Sequence, residues 1–203
     1  MLIKLVLLLL LFLPVSAEDV FLEPGRIALI DFGSLIESEP QVLNRKLLRA
    51  YVVSGLEDES ASSVLALQGL QPKGETDVTI STSSGLYQLR VILNNQKTTD
   101  LNLNPSNSRL KIYTESFSLS TERSSIITLP RYLNKKILVG DPDLINVSQF
   151  LNYYDDDFLK VISLLSSSNQ GTTDLILPSQ SGVYKLKVDV NKGNSHETNI
   201  NLI

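Results

Sequence analysis

The chain contains a single histidine, the side chain best suited to acid–base or metal chemistry near neutral pH. His196 lies in a polar stretch near the end of the chain, between Ser195 and Glu197. Catalysis or metal binding would require further side chains spaced to meet it, and the surrounding pattern supplies none. We therefore interpret His196 as a surface residue.

Three adjacent aspartates, Asp155, Asp156 and Asp157, are candidate oxygen ligands for calcium. Calcium takes about six to eight oxygens, and adjacent side chains alternate in direction along an extended chain. A solvated loop is the favoured interpretation, and calcium binding stays open.

Other patterns of catalytic chemistry are missing from the sequence. Its serines lie outside any nucleophile elbow, and no glycine-rich phosphate loop is present. Asn146 begins a glycosylation sequon, which we interpret as an ordinary loop asparagine. The sequence predicts a protein that is not an enzyme, with no catalytic residue, metal site or cofactor.

The N-terminus has the order of charges and apolar residues typical of a secretory signal peptide. Lys4 precedes an apolar run at 5–13, and small residues at 15–17 precede the acidic Glu18. We expect cleavage after Ala17 and a periplasmic or secreted protein without stable membrane insertion. An uncleaved N-terminal anchor is the alternative.

The charge balance argues against a nucleic-acid partner. The chain has 18 basic and 22 acidic residues, and loss of Lys4 with the signal leaves 17 against 22, or −5. No basic cluster is present to neutralise phosphates. The chain has no cysteine, so its core must hold it together without disulfides.

The sequence repeats itself. Residues 73–80 match residues 170–177, which lie 97 positions later, and residues 84–91 match 181–188 at the same distance. One structural unit is therefore used twice. We place unit one at 20–104, a linker at 105–111 and unit two at 112–203; the turn-forming residues at 104–108 indicate a short joint.

Alternation of apolar and polar residues predicts strands in both units. In each, a strand at 76–81 or 173–177 is followed by a turn and a second strand, which predicts a β-hairpin with Gly85 or Gly182 at the turn. Lys185, Lys187 and Asp189 indicate a solvated face, most clearly in unit two. A second hairpin is expected through 94–97 and through 191–194.

The upstream segments give weaker patterns. We expect opening strands at 25–32 and 124–129, and a second matched pair at 43–48 and 133–138, which lie 90 positions apart. Residues 158–165 form a buried strand or a short helix, of which we favour the strand. The expected fold is mainly β: two tandem small β-sandwich, immunoglobulin-like domains, with a short helix possible.

Unit two resembles a known family. Residues 139–147, which contain Gly140-Asp141-Pro142, and residues 171–177 resemble the N-terminal domain of bacterial pilus-assembly secretins, found in type IV (Tad-type) pilus and type II and III secretion systems. The resemblance covers about 124–190. Unit one keeps Gly74 and Thr76 but has residues 50–54 where the Gly-Asp-Pro turn is expected, and the chain has no secretin barrel.

The motif residues have structural explanations. Asp141 and Pro142 suit a type I turn, in which aspartate caps the turn amides, and the glycines allow tight reversals beside threonines that favour strands. The motif positions are Gly140, Asp141, Pro142, Gly171, Thr172, Thr173, Gly74, Thr76, Gly85 and Gly182.

Two kinds of surface are candidates for partner binding. Tyr132, Tyr153 and Tyr154 are candidates for a contact surface, and half-buried packing is the favoured interpretation of them. Exposed edge strands could pair with another chain.

The resemblance implies a non-enzymatic periplasmic component of a pilus-assembly or secretion apparatus that docks pilus or secretion-system proteins, for example a secretin. An immunoglobulin-like adhesin or surface-binding protein is the alternative, because such repeats use a similar glycine–threonine pattern.

Overall fold

The fold is all-β in the residues described by the computed structural model, which are 17–53, 62–106, 111–130, 136–154, 157–179, 182–193 and 199–201. Every element in these ranges is a strand. The segment 158–165 therefore belongs to a strand, as favoured. The signal-peptide prediction falls outside the described residues except for Ala17, which begins the first strand.

Within the ranges given above, each unit contributes eight strands in the same order. The strands of unit one are β1 (Ala17–Leu22), β2 (Ile27–Asp31), β3 (Gln41–Val42), β4 (Leu48–Val53), β5 (Val64–Gly69), β6 (Gly74–Thr82), β7 (Gly85–Leu93) and β8 (Leu101–Asn102). Those of unit two are β9 (Ile112–Ser120), β10 (Ser124–Pro130), β11 (Leu138–Val139), β12 (Ile145–Tyr154), β13 (Asp157–Ser166), β14 (Gly171–Ser179), β15 (Gly182–Asn191) and β16 (Asn199–Asn201).

Two four-stranded sheets form each unit. Unit one has the sheets β1-β7-β6-β3 and β4-β5-β2-β8, and unit two has β9-β15-β14-β11 and β12-β13-β10-β16. With the first seven strands lettered A to G, the sheets read A-G-F-C and D-E-B. The groupings C-F-G and B-E-D are those of the immunoglobulin fold, and strand A here lies beside strand G. The expected pair of tandem immunoglobulin-like β-sandwiches is confirmed.

A constant offset of 97 residues relates the two units from β2 to β7. It takes Ile27 to Ser124, Gln41 to Leu138, Leu48 to Ile145 and Gly74 to Gly171, each at the start of matching strands. The expected pairing of 43–48 with 133–138 at an offset of 90 was wrong. Residues 43–47 form the turn between β3 and β4, and β3 is the counterpart of β11.

The first hairpin of each unit is confirmed, and the second was wrong. β6 pairs antiparallel with β7 and β14 with β15, and Gly85 and Gly182 have φ of 139° and 148°. The next strand does not return to the same sheet: β8 runs parallel to β2, and β16 runs parallel to β10, in the opposite sheet of each unit.

The expected opening strands are in fact the second strands of their units. β2 and β10 are preceded by β1 and β9, which run parallel to β7 and β15. Val20 and Leu22 of β1 are fully buried, so this strand belongs to the core of unit one. Its charged start, Glu18-Asp19, hid the strand from a search for apolar runs.

Three apolar clusters separate four sheets, so the units stack into four layers. Each sandwich has its own core, filled by alternating residues of its two sheets. A third cluster lies between the units, where Ile27, Leu29 and Ala66 of unit one pack with Leu138 and Ile176 of unit two. We call this contact, between the outer faces of β4-β5-β2-β8 and β9-β15-β14-β11, the junction.

Candidate functional site

The Gly-Asp-Pro turn of unit two lies against unit one at the junction. A Cβ on Gly140 would stand 2.2 Å from the carbonyl oxygen of Gly25, so no larger residue fits there without moving the backbone. The Asp141 carboxylate accepts a hydrogen bond from the Asp143 amide at 3.0 Å, and Pro142 is exposed. The turn therefore shapes a surface that unit one approaches closely.

Unit one contains the same turn at 43–47, and the expectation that residues 50–54 replace it was wrong. The Asn44 amide donates to Thr76 Oγ1 at 2.9 Å, as the Asp141 amide donates to Thr173 Oγ1 at 2.7 Å. Asn44 also accepts from the amide two residues on, as Asp141 does. Asparagine and aspartate are interchangeable in this turn, which concealed the correspondence.

Thr172 and Thr173 make hydrogen bonds to different parts of the molecule. Thr173 Oγ1 accepts from the Asp141 amide and donates to the Gly25 carbonyl at 2.9 Å, so it ties the turn to unit one. Thr172 donates to Asp189 at 2.6 Å on the neighbouring strand.

Gly74 and Gly171 occupy matching positions in the two units, but only Gly74 has a backbone conformation that favours glycine. Gly74 has φ of 146°, which L-residues with a side chain rarely adopt. Gly171 is not among the described glycines with positive φ, and a Cβ there would make ordinary contact with the Leu144 side chain at 3.4 Å. The expectation that Gly171 is needed for a tight reversal was wrong.

A buried carboxylate lies at the centre of the junction. Asp174, on β14, is 0% exposed, and its Oδ2 accepts hydrogen bonds from the Ile27 amide at 2.8 Å and from Arg26 Nε at 2.9 Å. Its Oδ1 is buried without a hydrogen bond to a described residue. The Asp174 carboxylate of unit two thus accepts hydrogen bonds from a backbone amide and a guanidinium of unit one.

Two cations near Asp174, Arg26 and Lys185, are each paired with a carboxylate of the other unit. Burial lowers the pKa of Arg26, but the hydrogen bond and charge of Asp174 outweigh burial and raise it, so the guanidinium stays protonated. Lys185 is 4% exposed and donates to both carboxylate oxygens of Asp100 in unit one, at 2.7 and 2.8 Å. Two charge pairs therefore cross the junction.

Gln68 makes two further hydrogen bonds across the junction. Its Nε2 donates to the carbonyl oxygens of Val139 and Gly140, each at 2.9 Å. Sequence reasoning assigned no role to Arg26, Gln68, Asp100 or Asp174, because contacts between units depend on which sheet faces meet.

One sequence signal could have located the junction. A strand that is buried on both faces loses the alternation of apolar and polar residues that a half-buried strand shows. In β14 the run Leu175, Ile176, Leu177 is continuous, whereas β6 alternates Val78, Thr79, Ile80, and β14 is buried on both faces. The expected solvated face of unit two was wrong at Lys185; the more solvated strand is β7, with Arg90 exposed.

Several predicted site residues lie outside the described residues or have undescribed side chains. Tyr132, Asp155, Asp156 and His196 fall outside. Tyr153 and Tyr154 pair through their backbones with Phe158 and Asp157, at the end of the β12–β13 hairpin. Their role in partner contact stays a prediction, as does calcium binding by the aspartates.

The described residues contain neither a metal-binding cluster nor a membrane-spanning helix. No group of three or more His, Cys, Asp or Glu residues there could hold a metal ion. Within those same ranges, no helix is long and apolar enough to cross a membrane.

Comparison with known proteins gave structural matches alone. No family model and no curated protein matches the chain. Domains 4 and 5 of the S-layer protein SbsC match at 14% identity over 77% of this chain and 70% of that chain, with a TM-score of 0.30. Dpr2 Ig1-Ig2, crystallised with DIP-Theta Ig1-Ig3, matches at 10% identity over 86% and 95%, with a TM-score of 0.26.

A third match is the extracellular portion of mouse CD200RLa, at 10% identity over 87% of this chain and 98% of that chain, with a TM-score of 0.23. Because these TM-scores are all below 0.5, the immunoglobulin-like assignment rests on the strand order within each unit.

Proposed function

We propose that this protein is a non-enzymatic exported component of a bacterial pilus-assembly or secretion apparatus, which acts by protein–protein docking in the periplasm. The observation that carries the proposal is the junction, where two immunoglobulin-like units pack face to face. Such packing suits a part that presents binding surfaces at fixed separation. The resemblance of residues 124–190 to secretin N-terminal domains supports the choice of apparatus.

The motif residues hold the two units together, so a partner would bind elsewhere on the molecule. Gly140, Asp141 and Thr173 are engaged in the turn and the junction. The outermost sheets of the two units each leave one face toward solvent, and these faces are the surfaces available to a partner.

A pull-down from envelope extract tests the proposal. The mature chain, Glu18–Ile203, is cross-linked to its neighbours before extraction, and mass spectrometry identifies what co-purifies. We expect secretin or pilus-assembly subunits. An Asp174→Ala variant should recover less of them because its units separate, whereas Glu115→Ala, at an exposed position of β9 away from both outward faces, should not.

Recovery of surface polysaccharide or host protein alone would contradict the proposal and support an immunoglobulin-like adhesin instead. One feature favours that second candidate: an open groove of about 720 Å³ on unit one is lined by Glu39, Asp77, Thr79 and Gln88, which suit a polar ligand. Cell fractionation separates the two functions, since release into the medium is expected of an adhesin and retention with envelope proteins of an apparatus component.

The non-enzymatic part of the proposal has its own test. Hydrolytic turnover by the purified mature chain that a single side-chain substitution abolishes would contradict it.

A further inference from the structure

The two outward sheet faces of the molecule are copies of the two faces that meet at the junction. We call the outer face of β1-β7-β6-β3 the N-face; its counterpart in unit two packs on unit one. We call the outer face of β12-β13-β10-β16 the C-face; its counterpart in unit one packs on unit two. Each molecule thus presents both halves of a junction, one at either end of the stack.

The charge pair of the junction is present on these faces. Arg123 on the C-face corresponds to Arg26, and Asp77 on the N-face corresponds to Asp174, at the offset of 97 residues. Arg26 and Asp174 form the buried ion pair at 2.9 Å, whereas Arg123 is exposed and Asp77 is half-buried. The C-face of one molecule therefore has the cation that fits the N-face of another.

The backbone around Arg123 also matches its counterpart. Gly25 has φ of 72°, and Glu122, in the same position of unit two, has φ of 58° as the one described non-glycine residue with positive φ. A positive φ at a non-glycine residue is uncommon and carries a strain cost. In unit one this loop presents Arg26 to Asp174. The corresponding loop of unit two keeps the same backbone conformation, despite its cost, and presents Arg123 to solvent.

Exposed apolar side chains lie at junction positions on both faces. Leu43 on the N-face is 79% exposed, and Leu165 and Ile126 on the C-face are 52% and 44% exposed. Leu43 and Leu165 correspond to Gly140 and Gln68, which are joined by a hydrogen bond in the junction. An apolar contact between two leucines would replace that bond if the faces met in the same register.

We propose that copies of this protein associate head to tail, the C-face of one on the N-face of the next, with Arg123 paired to Asp77 and Leu165 against Leu43. The groove of about 720 Å³ on the N-face, lined by Leu43 and Asp77, receives the Arg123 loop. Because the two faces differ, the contact is heterologous and leaves both ends open, so it builds a series of oligomers.

The contact between copies is looser than the junction. Leu43 occupies the place where a Cβ on Gly140 would meet the opposing carbonyl at 2.2 Å, so the faces cannot approach as closely. Thr79 and Gln41 replace Ile176 and Leu138, which makes the N-face less apolar. Association is therefore reversible and depends on concentration. The inference is independent of the proposed function and is tested on the purified protein alone.

Sedimentation velocity of the mature chain over a range of concentrations tests the proposal. We expect the weight-average sedimentation coefficient to rise with concentration in wild type. Arg123→Glu and Asp77→Arg should each weaken association by about tenfold or more, since each places like charges together. An equimolar mixture of the two variants should associate again as an alternating series. Its contacts alternate between the native Arg123–Asp77 pair and a pair of the introduced glutamate with the introduced arginine, so every contact joins opposite charges. Glu115→Arg, which reverses an exposed charge on β9 and lies on neither the N-face nor the C-face, is the matched control.

Loss in both single variants with recovery in the mixture would establish the contact. A wild-type chain that stays monomeric at millimolar concentration would overturn the proposal. Association that persists in both variants, or that stops at a dimer, would also overturn it, because the contact would then lie elsewhere. Far-UV circular dichroism confirms that each variant is folded.

Discussion

At the scale of single residues, equivalent aspartates of the two units lie in different environments. Asp77 and Asp174 occupy equivalent positions, yet Asp174 is buried with Arg26 and the Ile27 amide while Asp77 is half-buried on an outward face. The sequence predicted the hairpin glycines because a tight turn is a local requirement. It did not predict the role of Asp174, because its partners lie 147 and 148 positions away.

Asp174→Ala should lower the free energy of unfolding by about 3 kcal/mol, since it leaves a partly buried guanidinium and an amide without their acceptor. Urea unfolding followed by circular dichroism measures the change. Asp77→Ala, the matched control, should cost less than about 0.5 kcal/mol because its site is open to water. Equal losses in the two variants would contradict the assigned role of Asp174.

Gly140→Ala should destabilise the protein by about 2 kcal/mol, because the added methyl overlaps the Gly25 carbonyl and forces the units apart. Gly171→Ala adds the same methyl beside the flexible end of Leu144 and should change stability by about 0.5 kcal/mol or less. Thermal melts of both variants give the comparison. A tolerated alanine at 140 would mean that the close approach at the junction is incorrect.

At the scale of strands and sheets, local pattern predicted what pairs locally. The hairpins β6–β7 and β14–β15 and the strand at 158–165 followed from alternation and apolar runs. The parallel partners β1, β8, β9 and β16 were missed or misplaced, because short or charged strands pair with residues far along the chain. The solvated face expected at Lys185 of β15 was wrong, because this lysine is buried at the junction and forms an ion pair with Asp100.

Ile176→Thr should cost about 2 kcal/mol, because it removes buried methylenes and places a hydroxyl in the apolar cluster of the junction. The reverse exchange at the matching position of unit one, Thr79→Ile, should leave the free energy of unfolding nearly unchanged. Urea titration of both variants provides the measurement. If the two exchanges had equal effects, β6 and β14 would share one environment, which contradicts the layered arrangement.

At the scale of the whole molecule, the described residues form a stack of four sheets held by three apolar clusters. The repeat predicted two similar sandwiches, because a matching sequence specifies a matching fold. It could not predict that the sandwiches pack face to face, because that depends on complementary faces on different units. The division of charge and apolar residues between these faces distinguishes the inner sheets from the outer ones.

Unit two covers β2 of unit one through Asp174, which accepts a hydrogen bond from the Ile27 amide. Hydrogen exchange of that amide in the mature chain, measured by nuclear magnetic resonance, is the decisive test. We expect slow exchange at Ile27 in wild type and fast exchange in Asp174→Ala, with Ile30 of the same strand protected in both. Fast exchange at Ile27 in wild type would contradict the junction, because that amide would then face water.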